Sequence, residues 1–146
     1  MSVASFRKFA QDHNISINIV ENSETTKTAE EAAKFHNVEV DQIVKSLLLK
    51  AGDIFLLYLT PGNTRLDIEA IKQELGFNTL RMANADEVKE ITGYSIGGVP
   101  PFGHKNPIKT YIHSGFRENV PLFAAAGSHL ATFETNLNQL NNLVFK

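Results

Sequence analysis

Ile43-Val44-Lys45-Ser46-Leu47-Leu48-Leu49-Lys50, then Ala51-Gly52-Asp53, then Ile54-Phe55-Leu56-Leu57-Tyr58-Leu59-Thr60 is the stretch that decides the fold. Two runs of aliphatic, β-branched and aromatic residues around a short glycine-containing turn predict a β-hairpin. Apolar residues fall on both faces of both strands, which places the hairpin centrally in a sheet. Lys45 breaks the pattern. Side chains at i, i+2 and i+4 share a face, so Lys45 shares one with Ile43, Leu47 and Leu49, and Ser46 shares the other with Val44 and Leu48. An ammonium in that setting must snorkel to water, pair with a carboxylate, or line a pocket whose anionic or carbonyl-bearing ligand is its partner. Spacing alone leaves all three open.

Outward from the hairpin, Thr28-Ala29-Glu30-Glu31 is a capping box that starts a helix through Phe35. Ile15, Ile17 and Ile19 alternate with smaller or polar residues and predict a strand, and Val3, Phe6, Phe9 and Ala10 predict an N-terminal helix capped by Ser2 and ended by Asn14. Downstream, Leu66, Ile68, Ile71 and Leu75 mark a helix stopped by Gly76, and residues 85–92 a second one stopped by Gly93. Ile108–His113, Leu122–Ala126 and Ala131–Glu134 predict short strands, and Asn136–Leu143 a closing helix capped by Thr135 or Asn136. No repeat or linker divides the chain, so one mixed α/β domain over residues 1–146 is expected.

Composition narrows the function. A chain of 146 residues buries roughly 70% of its unfolded surface, enough for one good core. The longest apolar runs fall far short of the ~20 residues that cross a bilayer, and the first eight residues do not resemble a secretory leader, so a cytoplasmic protein is expected. Zero cysteines removes disulfides, thiolate metal sites and a cysteine nucleophile. A net charge of −2 argues against a protein that coats long nucleic acid. The charge is uneven: residues 101–146 carry Lys105, Lys109, Arg117 and Lys146 against only Glu118 and Glu134.

Gly93–Gly103 holds four glycines and two prolines in eleven positions and predicts a shaped loop. Its glycines let backbone N–H groups approach a ligand, as in an oxyanion-type wall, although a plain surface connection also accounts for them. Ala124-Ala125-Ala126-Gly127-Ser128 permits either close packing or a cramped pocket. His13, His36, His104, His113 and His129 show no metal-ligand spacing, and surface or capping roles are expected for them.

Thr28–Ala33, Ile43-Val44-Lys45-Ser46-Leu47, Thr60-Pro61-Gly62 with Arg65 and Asp67, residues 85–92, Gly93–Gly103 and Ala125-Ala126-Gly127 occur in the order seen in the YbaK/EbsC-type aminoacyl-tRNA deacylases. From Thr28 to Leu143 the chain resembles that family. The resemblance implies a mixed central sheet curved around a pocket with flanking helices. It implies a trans-editing hydrolase that deacylates mischarged aminoacyl-tRNA, often cysteinyl- or alanyl-tRNA for proline, with no metal or other cofactor. It carries Lys45 and Gly98 as catalytic residues, and Ser46, Gly97, Val99, Pro100, Phe102, Gly103, Gly127 and Ser128 as substrate-binding ones. The partners implied are the acceptor end of a mischarged tRNA, tracked by Lys105, Lys109 and Arg117, and, as a further candidate, an aminoacyl-tRNA synthetase; neither a membrane nor DNA is implied. A non-catalytic module that binds the tRNA end or a synthetase is the alternative.

Overall fold

The computed structural model describes all residues, 1–146. The hairpin forms as expected: β2 (Val44–Ala51) and β3 (Ile54–Pro61) pair along their whole length, from Val44 opposite Pro61 to Ala51 opposite Ile54. It is central, because β4 (Arg81–Met82) lies outside β2 and β5 (Lys109–Ile112) outside β3, giving the order β4-β2-β3-β5. The β3–β5 pair is parallel, a relation that the alternation within each strand does not encode. A second, antiparallel sheet holds β1 (Ile19–Glu21), β7 (Ala131–Thr135) and β6 (Leu122–Ser128), in that order. The expected mixed sheet is thus built as two sheets, joined by one parallel bridge between Ile43 and Phe123.

Both faces of the hairpin are used. Leu49, Ala51, Leu56 and Tyr58 pack on Ile71 of α3 (Ile68–Leu75), while Val44, Leu48, Leu57 and Leu59 join the main core with Phe6, Phe102, Leu122 and Phe133. Ring centroids of Phe6 lie 5.0 Å from Phe133 and 5.6 Å from Phe102, contacts that add about 0.5–1.5 kcal/mol each beyond burial. This cluster clamps α1 (Val3–Asp12) against β6 and the glycine-proline loop.

Sequence-encoded caps hold the helices. In α2 (Ala29–His36), Thr28 Oγ1 accepts from Glu31 N at 3.1 Å, and Glu31 Oε1 accepts from Thr28 N at 3.1 Å. Gly76 (φ 77°) and Gly93 (φ 85°) end α3 and α4 (Ala85–Thr92) in the left-handed conformation, and Asn136 caps α5 (Leu137–Leu143). One expectation shortens: the strand predicted over 15–20 is only Ile19–Glu21. Ile15 and Ile17 pack against the core without joining the sheet, because an apolar alternation reports burial and not the presence of a pairing strand.

Candidate functional site

The site begins with an unshared strand edge. Gly62 N donates to Ile43 O at 2.8 Å, so residues 43, 45, 47 and 49 turn their backbone groups toward β3. The even-numbered residues face the opposite edge, where Ala83 N donates to Leu48 O at 3.0 Å. Along that edge β4 reaches only Leu49 and Lys50, and Ile43 is drawn to Phe123 of β6. Between these points no strand ladder lines this edge of β2, and Ser46 pairs only with Leu59 of β3. A cavity of about 310 Å³ fills the fork.

Its walls come from four places. Strand β2 gives Val44, Lys45, Ser46 and Leu47; the segment entering α2 gives Thr26, Lys27 and Thr28; the glycine-proline loop gives Ile96, Gly97 and Val99; β6 and β7 give Phe123, Ala124, Ala125 and Thr132. Ala29 and Ala32 of α2 close the end beside Ile43. Small side chains thus line much of the space. A larger depression of about 610 Å³ lies at the start of α5, lined by Glu118, Glu134 and four asparagines. It holds no lysine or arginine, so the two concavities differ in chemistry, and of the two the fork is the one that offers cations to an anionic or carbonyl-bearing ligand.

Lys45 is half-buried on the cavity wall, and no carboxylate lies within 4.0 Å of it. Its Nζ donates to Thr64 O at 2.8 Å. An ammonium carries three donors, so two remain after this bond. Of the three possibilities open in the sequence, the carboxylate partner is absent and the pocket-lining one is present. Next to it, the Ser46 hydroxyl is buried with no hydrogen-bond partner, as is that of Thr60, the residue paired with Lys45 across the hairpin. Leaving such a group unsatisfied costs about 1–3 kcal/mol.

The loop residues divide into two groups. Gly97 and Val99 line the cavity with Lys45 and Ser46; Gly98, Pro100, Phe102, Gly103, Gly127 and Ser128 do not. Gly98 N donates to Ser95 O at 2.9 Å, and Gly98 O accepts from Gly127 N at 3.0 Å, so its amide is already engaged. A Cβ on Gly98 would stand 2.8 Å from Ser128 Cα and 2.9 Å from Ser128 N. The glycine therefore lets the loop lie against the bulged end of β6, where Gly127 has φ 104°. Phe102 belongs to the aromatic core, Gly103 packs on Phe9, and Ser128 Oγ accepts from Leu130 N. Pro100 is buried, and its carbonyl accepts from His104 Nε2 at 2.6 Å.

Two histidines serve the site and not the surface. The bond from His104 to Pro100 closes the loop, and burial pushes the His104 pKa below the ordinary 6.5 while the bond to the carbonyl opposes that shift. His36 stacks on Phe123 at 4.1 Å and its Nε2 lies 2.7 Å from Thr132 Oγ1, so it backs two residues of the cavity wall. Burial lowers its pKa as well, against the opposing effect of Glu134. Lys27, Thr26 and Thr132 were not singled out in the sequence, and the alanines of α2 entered only within the Thr28–Ala33 motif and not as site residues; the one available signal was the capping box, which fixes where Lys27 and Ala29 stand. On the expected basic edge, Arg117 is held by Asp41 through bonds of 2.7 and 2.8 Å. No three His, Asp or Glu side chains are grouped as metal ligands would be, and no helix is long and apolar enough to cross a membrane.

Fold and cavity together define a mixed α/β protein with a small-residue pocket bearing lysines at a strand fork. The family described as "Aminoacyl-tRNA editing domain" matches residues 23–143, and the chain belongs to that family. It is 31% identical to the uncharacterised protein YwhH of Bacillus subtilis strain 168 over 146 residues, covering 99% of this chain and 92% of YwhH. It is also 43% identical over 77 residues to the proline–tRNA ligase of Thermosipho africanus strain TCF52B, covering 53% of this chain and 14% of the ligase. The crystal structure of a candidate trans-editing enzyme for prolyl-tRNA synthetase superposes with a TM-score of 0.87 at 34% identity, over 94% of this chain and 88% of the other.

Proposed function

We propose that this protein is a trans-editing hydrolase: a cytoplasmic, one-domain deacylase that removes a small wrong amino acid, cysteine or alanine, from tRNA for proline. The observation that carries the reading is the cavity at the β2 fork, lined by Lys45, whose ammonium has no carboxylate partner, and by Ser46, on an edge of β2 that no strand ladder covers there. Membership of the editing-domain family and likeness to proline–tRNA ligases support the reaction class and the tRNA. Ala29, Ala32, Ala124 and Ala125 support a small side chain, since they leave room without providing a large apolar slot.

An aminoacyl ester is already activated, and positioning supplies much of the barrier reduction. One water adds to the carbonyl carbon, the carbonyl oxygen takes the negative charge, and the bond to the ribose oxygen then breaks. The ribose oxygen leaves with the proton that the water lost, so no protein nucleophile and no metal is required. Charge on the carbonyl oxygen needs donors fixed in advance. The unshared Ser46 N–H and the two remaining Lys45 donors suit that role better than Gly98 N–H, which Ser95 O already occupies.

The test is release of amino acid from cysteinyl-, alanyl- and seryl-tRNA by purified protein, before and after chelator treatment. Release from at least one, unchanged by the chelator, is expected. If all three stay at the blank while tRNA binds tightly, the protein is a binding module and not a hydrolase.

A further inference from the structure

Lys27 lies across the backbone of Gly97. A Cβ at Gly97 would stand 2.7 Å from Lys27 Cγ and 3.3 Å from both Cδ and Cε, so the whole lysine stem runs over this one residue. Gly97 also has φ 90°, a conformation that excludes most side chains. The glycine thus makes a seat for a lysine, and both residues line the cavity. Lys27 forms no salt bridge within 4.0 Å. Its neighbour Glu31 is turned to Thr28 N in the capping box, leaving the Lys27 ammonium without an internal anion. The side chain is exposed, which puts its charge at the mouth, whereas Lys45 is half-buried on the wall.

We infer that Lys27 is a phosphate anchor for the single-stranded end of the substrate. This rests on the deacylase reading for the identity of the ligand and adds a division of labour to it. The terminal aminoacylated adenosine of a tRNA carries its ester on one side of the ribose and, on the 5′-oxygen at the other, the phosphate that links it to the preceding nucleotide. With the acyl group in the small-residue cavity beside Lys45, the phosphate must lie at the mouth, within one sugar of the ester. Lys27, pre-positioned on Gly97, meets it there as a point charge.

The experiment compares parent, Lys27→Met, Lys27→Arg and Gly97→Ala proteins on two probes. The first is hydrolysis of alanyl- or cysteinyl-tRNA against the same amino acid esterified to free adenosine, which has no phosphate. Lys27→Met is expected to raise KM for the tRNA roughly fivefold to tenfold with kcat held, to lower the log–log salt slope by about 0.7, and to leave the adenosine ester unaffected. Lys27→Arg restores KM, and Gly97→Ala shares the KM defect because it displaces the lysine stem. The second probe is equilibrium binding of the trinucleotide cytidylyl-cytidylyl-adenosine, which needs no hydrolysis. Binding that weakens in Lys27→Met while no protein hydrolyses any ester keeps the anchor and sinks the deacylase. Unchanged KM and salt slope in Lys27→Met, an equal loss on the adenosine ester, or no trinucleotide binding by the parent would each overturn the anchor.

Discussion

Replacing Lys45 by methionine separates its two possible contributions, because methionine keeps the apolar stem and removes only the charge. The stability side follows from the contacts. Lys45 Nζ is bonded to one backbone carbonyl, Thr64 O at 2.8 Å, and to no carboxylate, so its removal strands no buried partner charge. Losing a hydrogen bond with a charged donor costs about 1.5–3 kcal/mol. Against it stands relief of the partial desolvation of an ammonium set between Ile43 and Leu47. The expected net change is within about 1 kcal/mol, or roughly 2–4 °C in Tm for a chain of this size.

Catalysis responds differently if the two remaining ammonium donors face the ester. Deacylation should fall by about 10²-fold or more, corresponding to roughly 2.7 kcal/mol of transition-state stabilisation. The assay pairs thermal melting with single-turnover hydrolysis of alanyl- or cysteinyl-tRNA at saturating enzyme. A Lys45→Met protein that melts like the parent and hydrolyses at the parent rate refutes the placement of Lys45 in the mechanism. A protein that melts far below the parent shows instead that the Thr64 bond is what the lysine is for.

Gly98→Val should lower both stability and turnover, since its Cβ would stand 2.8 Å from Ser128 Cα and would push the loop off the β6 bulge; a variant with parent Tm and parent rate contradicts that packing. Ala125→Leu puts three more carbons into a cavity of about 310 Å³, so turnover on alanyl-tRNA should drop at least tenfold in a folded protein, and an unchanged rate would remove this wall from the acyl site. His36 and His104 both have pKa values lowered by burial, so the unfolded chain binds protons that the native one refuses. Stability should therefore decline as pH falls through the ordinary value of 6.5. Urea midpoints measured from pH 7.5 to 5 check this, and His36→Gln with His104→Gln should flatten the slope; a parent midpoint that does not move across that range contradicts the linkage.

The elements that were legible in the sequence are those whose causes are local. Thr28 and Glu31 satisfy each other's helix-end groups three residues apart, Gly76 and Gly93 supply the left-handed stop that their helices need, and the hairpin turns within two residues. Lys45 was legible for the same reason, as a charge out of place in an apolar alternation. What the residues did not reveal depends on partners far apart in the chain. The parallel β3–β5 pair and the Ile43–Phe123 bridge leave no trace in either strand's own pattern. Nor could Gly98 be told from Gly97: both are glycines in one loop, yet one presses on Ser128 and the other seats Lys27.

That contrast shows how the site arises from a packing problem. Two sheets joined by backbone pairing only at Ile43 and Phe123 must part on one side of the bridge, and β2, tied to β3 along its length, cannot turn to follow β6. The gap needs a filler. Larger side chains in place of Ala29, Ala32, Ala124 and Ala125 would have closed it and gained apolar burial; with alanines there, the gap beside β2 stays open and the Ser46 hydroxyl has no partner. A glycine-proline loop tied down by His104 and Tyr94 gives the open side a firm wall. Forgoing that burial beside a buried, unpartnered serine hydroxyl is what a core formed for stability alone would avoid, and it is the physical reason to assign the fork to a ligand.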